Sequence, residues 1–324
     1  MFDVVTDIFG HFLDPRKRVY LGYLLVSVLI AILWLIFFRG KSFSNSIKFL
    51  FDKQIWFSKS SRADFFVFLI NRCISIIISP VLITQMVIAT AIFYWLHGVS
   101  WLQSGSLQHI PDYLIVMSFT ISIFLLDDFS KYWVHRWMHK WPILWALHKV
   151  HHSAEVLTPL TVYRTHPLEG IVFTIRGTFT QGVSISSFIF FFGNSVDLLT
   201  VLGANVFLFL FNTAGSNLRH SHIGIRYWSW LEYIFISPAQ HQLHHSIDIA
   251  HHDKNFGAAL AVWDYIFGSL HHSEEVESLH LGIETDDKNF NKLSTLYLSP
   301  VLEIIQIISR RTGNIFSKLK SIKR

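Results

Sequence analysis

Histidine is the residue type whose number and spacing most clearly predict chemistry in this chain. The 324-residue sequence contains 19 histidines, and eight of them form three short groups. Positions i and i+4 of a helix share one face, so each group predicts a row of imidazoles on one side of a helix. The three groups are His135–Arg–Trp–Met–His139, His148–Lys–Val–His151–His152 and His241–Gln–Leu–His244–His245.

These eight imidazoles predict a metal centre. Imidazole is a good ligand for iron, zinc, copper and nickel. Eight ligands are more than one tetrahedral or octahedral ion accepts, so the groups predict two ions rather than one. His220 and His222 are candidates to complete the ligand set. The competing interpretation, unrelated surface histidines, does not account for three groups of similar spacing.

The groups and their flanking residues resemble the fatty acid hydroxylase superfamily, also called the sterol desaturase family. The resemblance covers about residues 120–272 and includes the segments Asp253–Gly257 and Trp263–Gly268. It is strongest to the branch that contains alkylglycerol monooxygenases and bacterial sterol-desaturase-like proteins. In that branch His220 matches an additional histidine, whereas the position of His222 is often another residue.

This resemblance implies a non-haem di-iron enzyme with O₂ as co-substrate. The implied reaction is hydroxylation, desaturation or monooxygenation of a fatty-acyl, sterol-like or ether lipid. Zinc is an alternative occupant of the site in purified or crystallised protein. The implied metal ligands are His135, His139, His148, His151, His152, His220, His222, His241, His244 and His245.

Carboxylates near the groups are candidates to support them, because ligating histidines usually donate their second ring N–H to a carboxylate or carbonyl. Asp128 precedes His135 by seven residues and therefore shares its helical face, which makes it the candidate catalytic carboxylate. His166 is left open as a ligand, and the pairs 251–252 and 271–272 are expected in surface loops. Further supporting candidates are Asp127, Glu155, Asp253 and Asp264.

The composition is that of a membrane protein. Hydrophobic residues make up 51% of the chain and charged residues 15%, against about 25% charged in average soluble domains. A helix needs ~20 apolar residues to cross a bilayer. Tyr113–Leu126 is shorter and is expected to enter its helix through Pro111–Asp112 and to continue to His139. The other predicted spans are Val19–Phe38, Ile74–Leu96 and a hairpin of Ile171–Phe192 and Val196–Phe211.

The predicted fold is an all-α integral-membrane bundle of four or five spans, with a cytoplasmic helical cap that carries the di-metal site. Residues 1–112 are expected to form N-terminal spans, 113–275 the catalytic domain with further spans, and 276–324 a basic tail. Loop charges set the orientation. Residues 39–64 hold six Lys and Arg, residues 97–112 none and residues 127–170 five, so the histidine segments are predicted on the cytoplasmic side. The expected location is a bacterial inner membrane or the endoplasmic reticulum.

The expected partners follow from what the sequence lacks. It shows no haem, flavin or Rossmann pattern, and Cys73 is its one cysteine, so electrons are expected from a separate cytoplasmic donor or a soluble reductant. The expected donor is a cytochrome- or ferredoxin-type reductase system. The net charge of +5 favours anionic membrane surfaces, and no nucleic-acid-binding motif accompanies it. Competing functions are a membrane zinc hydrolase and a metal-binding or transport protein. The first lacks an HExxH motif, and the second needs ligands inside the spans.

Overall fold

The computed structural model describes residues 10–78, 84–193, 196–273, 279–284 and 290–322. This part of the chain is mostly helical, with one two-stranded antiparallel hairpin, β1 Thr200–Val201 and β2 Ala204–Asn205. Short 3₁₀ turns lie at Pro159–Tyr163, Ser216–His220, Leu231–Tyr233 and Ile249–His251. The α-helices are α1 Leu21–Phe37, α2 Phe43–Leu50, α3 Lys53–Trp56, α4 Lys59–Ile78, α5 Gln85–His97, α6 Asp112–Lys140, α7 Pro142–His152, α8 Pro167–Phe192, α9 Val206–Thr213, α10 Pro238–His244, α11 Val262–Ile266 and α12 Leu293–Ile322.

Helix α6 contains both an apolar segment and the first histidine group in one continuous helix. It begins after Pro111 and continues for 29 residues, which confirms the predicted helix from Pro111–Asp112 to His139. At 1.5 Å per residue the helix is about 44 Å long. Among the described residues it is the one helix that is long and apolar enough to cross a membrane, and α1 and α5 are apolar but shorter.

Two of the predicted spans are not continuous helices. Within Ile74–Leu96, α4 ends at Ile78 and α5 begins at Gln85, where the Thr84 hydroxyl accepts from the N–H of Val87. Pro80 lies outside the described residues. The segment 196–211 forms the β1–β2 hairpin and the start of α9 instead of a span. Leu202 and Gly203 adopt positive φ in the hairpin turn, and Asn205 caps α9, so local turn and cap chemistry outweighs hydrophobicity here.

Helix α8 packs against both α5 and α6, and small residues permit the close contact. A Cβ at Gly182 of α8 would collide with the side chain of Ile88 in α5, so glycine permits this close approach. Ser184 and Ser186 of α8 are buried, and each hydroxyl donates to the carbonyl four residues earlier. Their polar groups are therefore satisfied without breaking the apolar contact.

The C-terminal helix α12 packs against α7, which carries the second histidine group. The ammonium of Lys149 on α7 pairs with the carboxylate of Glu303 on α12. Leu298, Leu302 and Ile305 of α12 are exposed apolar residues. Much of the predicted tail, from Leu293 onward, thus lies in a helix that packs against the histidine-bearing part of the fold.

Candidate metal centre

Nine of the ten predicted ligands come together in two adjacent clusters. Within each cluster, one potential ligand atom per histidine lies within 4.8 Å of all the others. We call them the five-histidine cluster and the four-histidine cluster. The rings of His152 and His245, one from each cluster, stack with centroids 4.5 Å apart. The five-histidine cluster is His135, His139, His148, His152 and His244; the four-histidine cluster is His151, His220, His241 and His245.

Helical spacing divides the second and third groups between the two clusters. On α7, His148 and His152 share a face and enter the five-histidine cluster, whereas His151 enters the other. On α10 the division is reversed, because His244 alone enters the five-histidine cluster. In each of these two groups, the histidines at i and i+4 therefore enter the same cluster and the third histidine enters the other. Two short helices thus build both clusters side by side.

Three members of the five-histidine cluster have their ring protons fixed by acceptors. Nδ1 of His135 donates to the Phe256 carbonyl at 2.8 Å, and Nδ1 of His244 donates to the Lys254 carbonyl at 2.7 Å. Nδ1 of His148 lies 2.7 Å from the Glu169 carboxylate. A carbonyl can only accept, so the Nε2 lone pairs of His135 and His244 face each other at 3.0 Å.

The clusters fit metal ions in three respects. Two nitrogens about 2.1 Å from one ion lie roughly 3 Å apart at right angles, close to the contacts seen here. Burial lowers the pKa of the seven cluster histidines outside α6, and the pKa of His151 falls to about 3, so the rings are neutral at pH 7 as ligands must be. Six members also hold a buried ring nitrogen without a hydrogen-bond partner: His139, His148, His151, His152, His241 and His245.

The sequence of this region matches the family model described as fatty acid hydroxylase, over residues 120–269. The match covers a little under half of the chain. All nine clustered histidines lie inside the match. The prediction of this family from the histidine groups is confirmed.

The chain is similar to curated lipid-modifying proteins. It is 30% identical over 154 residues to alkylglycerol monooxygenase of Homo sapiens, which is 48% of this chain and 31% of that protein. It is 27% identical over 172 residues to ornithine lipid hydroxylase of Rhizobium tropici, 52% of this chain and 46% of that protein. It is 29% identical over 145 residues to Delta(7)-sterol 5(6)-desaturase of Gibberella zeae, 44% of this chain and 40% of that protein.

The chain therefore covers less than half the length of each of these three relatives. No solved structure is significantly similar to it.

A loop within the matched region, residues 253–260, contains the two backbone carbonyls that accept hydrogen bonds from His135 and His244. The Asp264 carboxylate accepts from the N–H groups of Phe256 and Gly257 at 2.8 and 2.7 Å. Asn255 has a positive φ of 56°, and its side chain donates to the Gln240 carbonyl. The loop is thus tied to α10 and α11, which fixes the direction of both imidazoles.

Asp128, the predicted catalytic carboxylate, also braces this loop. It accepts from the N–H groups of Ala259 and Leu260 at 2.8 and 3.1 Å and from the Trp263 indole at 3.0 Å. None of these partners is a cluster histidine. Asp128 therefore positions this loop. Its side chain also lines the cavity that reaches the two clusters.

A cavity of about 870 Å³ ends at the two clusters. At one end it is lined by cluster histidines, including His135 and His220. The cavity follows α8 from Glu169 to Ile185, which are 16 residues or about 24 Å apart along the helix axis. Its size is typical of a ligand site, and its length suits an extended hydrocarbon chain. The apolar walls are contributed by Phe119, Ile123 and Phe124 of α6, Phe173, Ile185 and Ile189 of α8, and Leu208 and Phe211 of α9.

Two predicted or open ligands lie outside both clusters. Nε2 of His222 contacts the carbonyl oxygen of Phe49 at 2.9 Å. Nδ1 of His166 accepts from the N–H of Leu168 and caps α8.

His251, expected in a surface loop, is buried with its ring 5.5 Å from that of His271. His252 is exposed.

The other carboxylates proposed as supports contact no cluster histidine. Asp127 pairs with Lys131 and Arg176, and Asp253 pairs with Lys140. The carboxylate that does contact a cluster histidine is Glu169, beside His148, and sequence reasoning missed it. An acidic residue just before the apolar segment 171–192 was the available signal.

Proposed function

We propose that this chain is an O₂-dependent lipid oxidoreductase that uses two iron ions. The observation that carries the proposal is the position of nine buried histidines, in two adjacent clusters, at the end of a long apolar cavity. The five-histidine and four-histidine clusters would each hold one ion. Bound iron would supply the oxidising chemistry with O₂ that no side chain can provide.

The protein's own contribution is position and exclusion of water. The carbonyls of Lys254 and Phe256 and the Glu169 carboxylate orient three imidazoles. The aromatic and aliphatic walls hold a hydrocarbon chain and keep water from its carbon atoms, as an oxidant strong enough for alkyl C–H requires. The substrate class is therefore a lipid with a long acyl or alkyl chain. Its relatives act, by their names, on alkylglycerols, ornithine lipids and sterols.

Metal analysis and O₂ uptake test this function together. Purified protein is expected to contain two irons per chain and to consume O₂ when lipid and a reducing system are supplied. One zinc per chain without O₂ uptake would contradict the proposal and favour a hydrolase. Bound metal without any lipid product would favour a metal-binding or transport protein. Mass spectrometry of membrane lipids from cells with and without the protein would identify the product.

The electron supply and orientation are part of the same proposal. A separate cytochrome- or ferredoxin-type donor would deliver electrons on the cytoplasmic side of a multi-pass protein, with residues 1–112 as N-terminal spans and 113–275 as the catalytic domain. Turnover by the isolated chain with NAD(P)H alone would exclude a separate donor. The orientation can be tested in intact cells by labelling a cysteine introduced at exposed Trp228 in a Cys73→Ser background. Labelling by a reagent that stays outside the cells would contradict a cytoplasmic location of the histidine segments.

A further inference from the structure

Two of the three arginines that line the cavity, Arg18 and Arg219, lie beside the four-histidine cluster. Arg18 donates to the Ser216 carbonyl at 2.6 Å, and its Nε is buried without a partner. Arg219 is 6% exposed and donates to the carbonyls of Ser216 and Ala258. Both guanidinium groups thus meet at one carbonyl oxygen. In the described part of the chain neither of them forms an ion pair with a carboxylate, and Asp14, the nearest acidic residue in sequence to Arg18, pairs with Arg16.

Within the described residues, neither guanidinium therefore has a carboxylate in ion-pair contact, and the Asp128 carboxylate, which acts on Arg219 at longer range, already accepts from Ala259, Leu260 and Trp263. A guanidinium stays protonated in proteins, and burying an unpaired charge is costly.

Metal binding would remove one of the contacts that Arg18 now makes. Arg18 Nη2 lies 3.2 Å from Nδ1 of His220. A guanidinium can only donate, so this contact requires the ring proton of His220 on Nε2. Nε2, however, faces His151 and His241 at 3.2 and 3.0 Å and is the atom that would bind the ion. An ion bound at Nε2 would leave the ring proton on Nδ1, so Arg18 could no longer donate to His220 and would be available to another acceptor.

We propose that Arg18 and Arg219 bind the anionic group of the lipid substrate, a carboxylate or a phosphate, beside the four-histidine cluster. This inference rests on the proposed function, because it names the substrate class of the same cavity. Guanidinium groups match both oxyanions with paired hydrogen bonds. The hydrocarbon chain then extends away from the metals toward Phe119 and Ile185, along the apolar walls.

The test is the affinity of the metal-loaded protein, in detergent micelles, for three probes with the same chain: stearate, octadecyl phosphate and octadecanol. Calorimetric titration should give the two anions at least tenfold higher affinity than the alcohol. Arg18→Met should lower the affinity for both anions about tenfold to a hundredfold and leave that for octadecanol unchanged. Arg18→Lys should restore part of the loss. Should Arg18→Met fail to fold, Arg18→Gln, which can still donate to Ser216, serves the same comparison.

Arg226→Gln is the matched control, because Arg226 is exposed, donates to Ser273 and does not line the cavity. Equal affinity for all three probes, or an equal loss for all three in the Arg18 variants, would overturn the inference. Competition by inorganic phosphate as strong as by octadecyl phosphate would overturn its lipid part. Binding needs no turnover, so anion preference without O₂ uptake would instead contradict the proposed function.

Discussion

Three histidines of the centre are oriented by an acceptor at the second ring nitrogen as well as by their position on a helix. His135, His148 and His244 have acceptors at Nδ1, so their Nε2 atoms are directed into the five-histidine cluster. The three cluster rings whose Nδ1 is buried without a hydrogen-bond partner, His151, His241 and His245, all belong to the four-histidine cluster. The two ions are therefore expected to differ in how rigidly they are held.

Removing one ligand should empty one cluster selectively. His244→Ala is expected to lower the iron content from two ions per chain to about one, because it deletes a member of the five-histidine cluster. His241→Ala should do the same through the other cluster, and either change should abolish lipid oxidation. Elemental analysis of purified variants is the measurement. His222→Ala is the matched control, since His222 contacts Phe49 instead of a cluster; a loss of iron in this variant would restore it as a ligand.

Glu169 should tune the ion bound by His148. Glu169→Gln keeps an acceptor for Nδ1 of His148 but removes the negative charge, which makes the imidazole a weaker ligand. The expected result is a 10- to 100-fold weaker metal affinity, measured by competition with a chelator, at unchanged helical content. Glu155→Gln is the control because Glu155 is exposed and contacts no cluster histidine. Equal affinities in the two variants would show that Glu169 only fills space.

The loop 253–260 orients two imidazoles of the five-histidine cluster through its backbone. It presents two carbonyls to the five-histidine cluster, and its own N–H groups are held by Asp264 and Asp128. Gly257 lies where a Cβ would collide with the Leu260 carbonyl and the Asp264 carboxylate. The loop therefore has little freedom to relax.

Gly257→Ala should displace this loop and loosen the metal site. The added methyl group cannot be accommodated without moving backbone, so we expect a loss of about 1–3 kcal/mol in stability and a weaker five-histidine site. Thermal unfolding and iron content measure the two effects. Gly177→Ala in α8 is the control, because nothing lies within 4 Å of a Cβ there. Unchanged iron content in Gly257→Ala would contradict the role of the loop.

Local rules predict the helices of the centre but not how they meet. The i and i+4 spacing of His148 and His152 correctly predicts a shared face, and Pro111 correctly predicts where α6 begins. The split of each group between two clusters depends on how α7 and α10 cross, which no local pattern contains. Arg18 reaches His220 across about 200 positions of sequence, so its role was invisible beforehand. Hydropathy failed at residues 196–211 because a turn and an N-cap interrupt the apolar run.

Across the whole molecule, the cavity links the metal centre to the apolar helices. Its walls come from α6, α8 and α9, and its histidine end comes from α6, α7, α10 and the Ser216–His220 turn. A chain that lies in it is held along much of its length. The position of a carbon relative to the metals is then set by how far the chain can extend from the histidine end.

Shortening the cavity should change which chain lengths are accepted. Ile185→Trp places a larger side chain in the cavity about 24 Å of helix from Glu169. Overpacking costs about 1–3 kcal/mol, so chains that pass this point should lose about tenfold or more in kcat/KM. Shorter chains and the iron content should be little affected, because the histidine end is unchanged. Turnover of a series of lipids that differ in chain length is the measurement. Ile175→Trp on the exposed face of the same helix is the control. An equal loss for short and long chains would show that the substrate chain does not follow α8 toward Ile185.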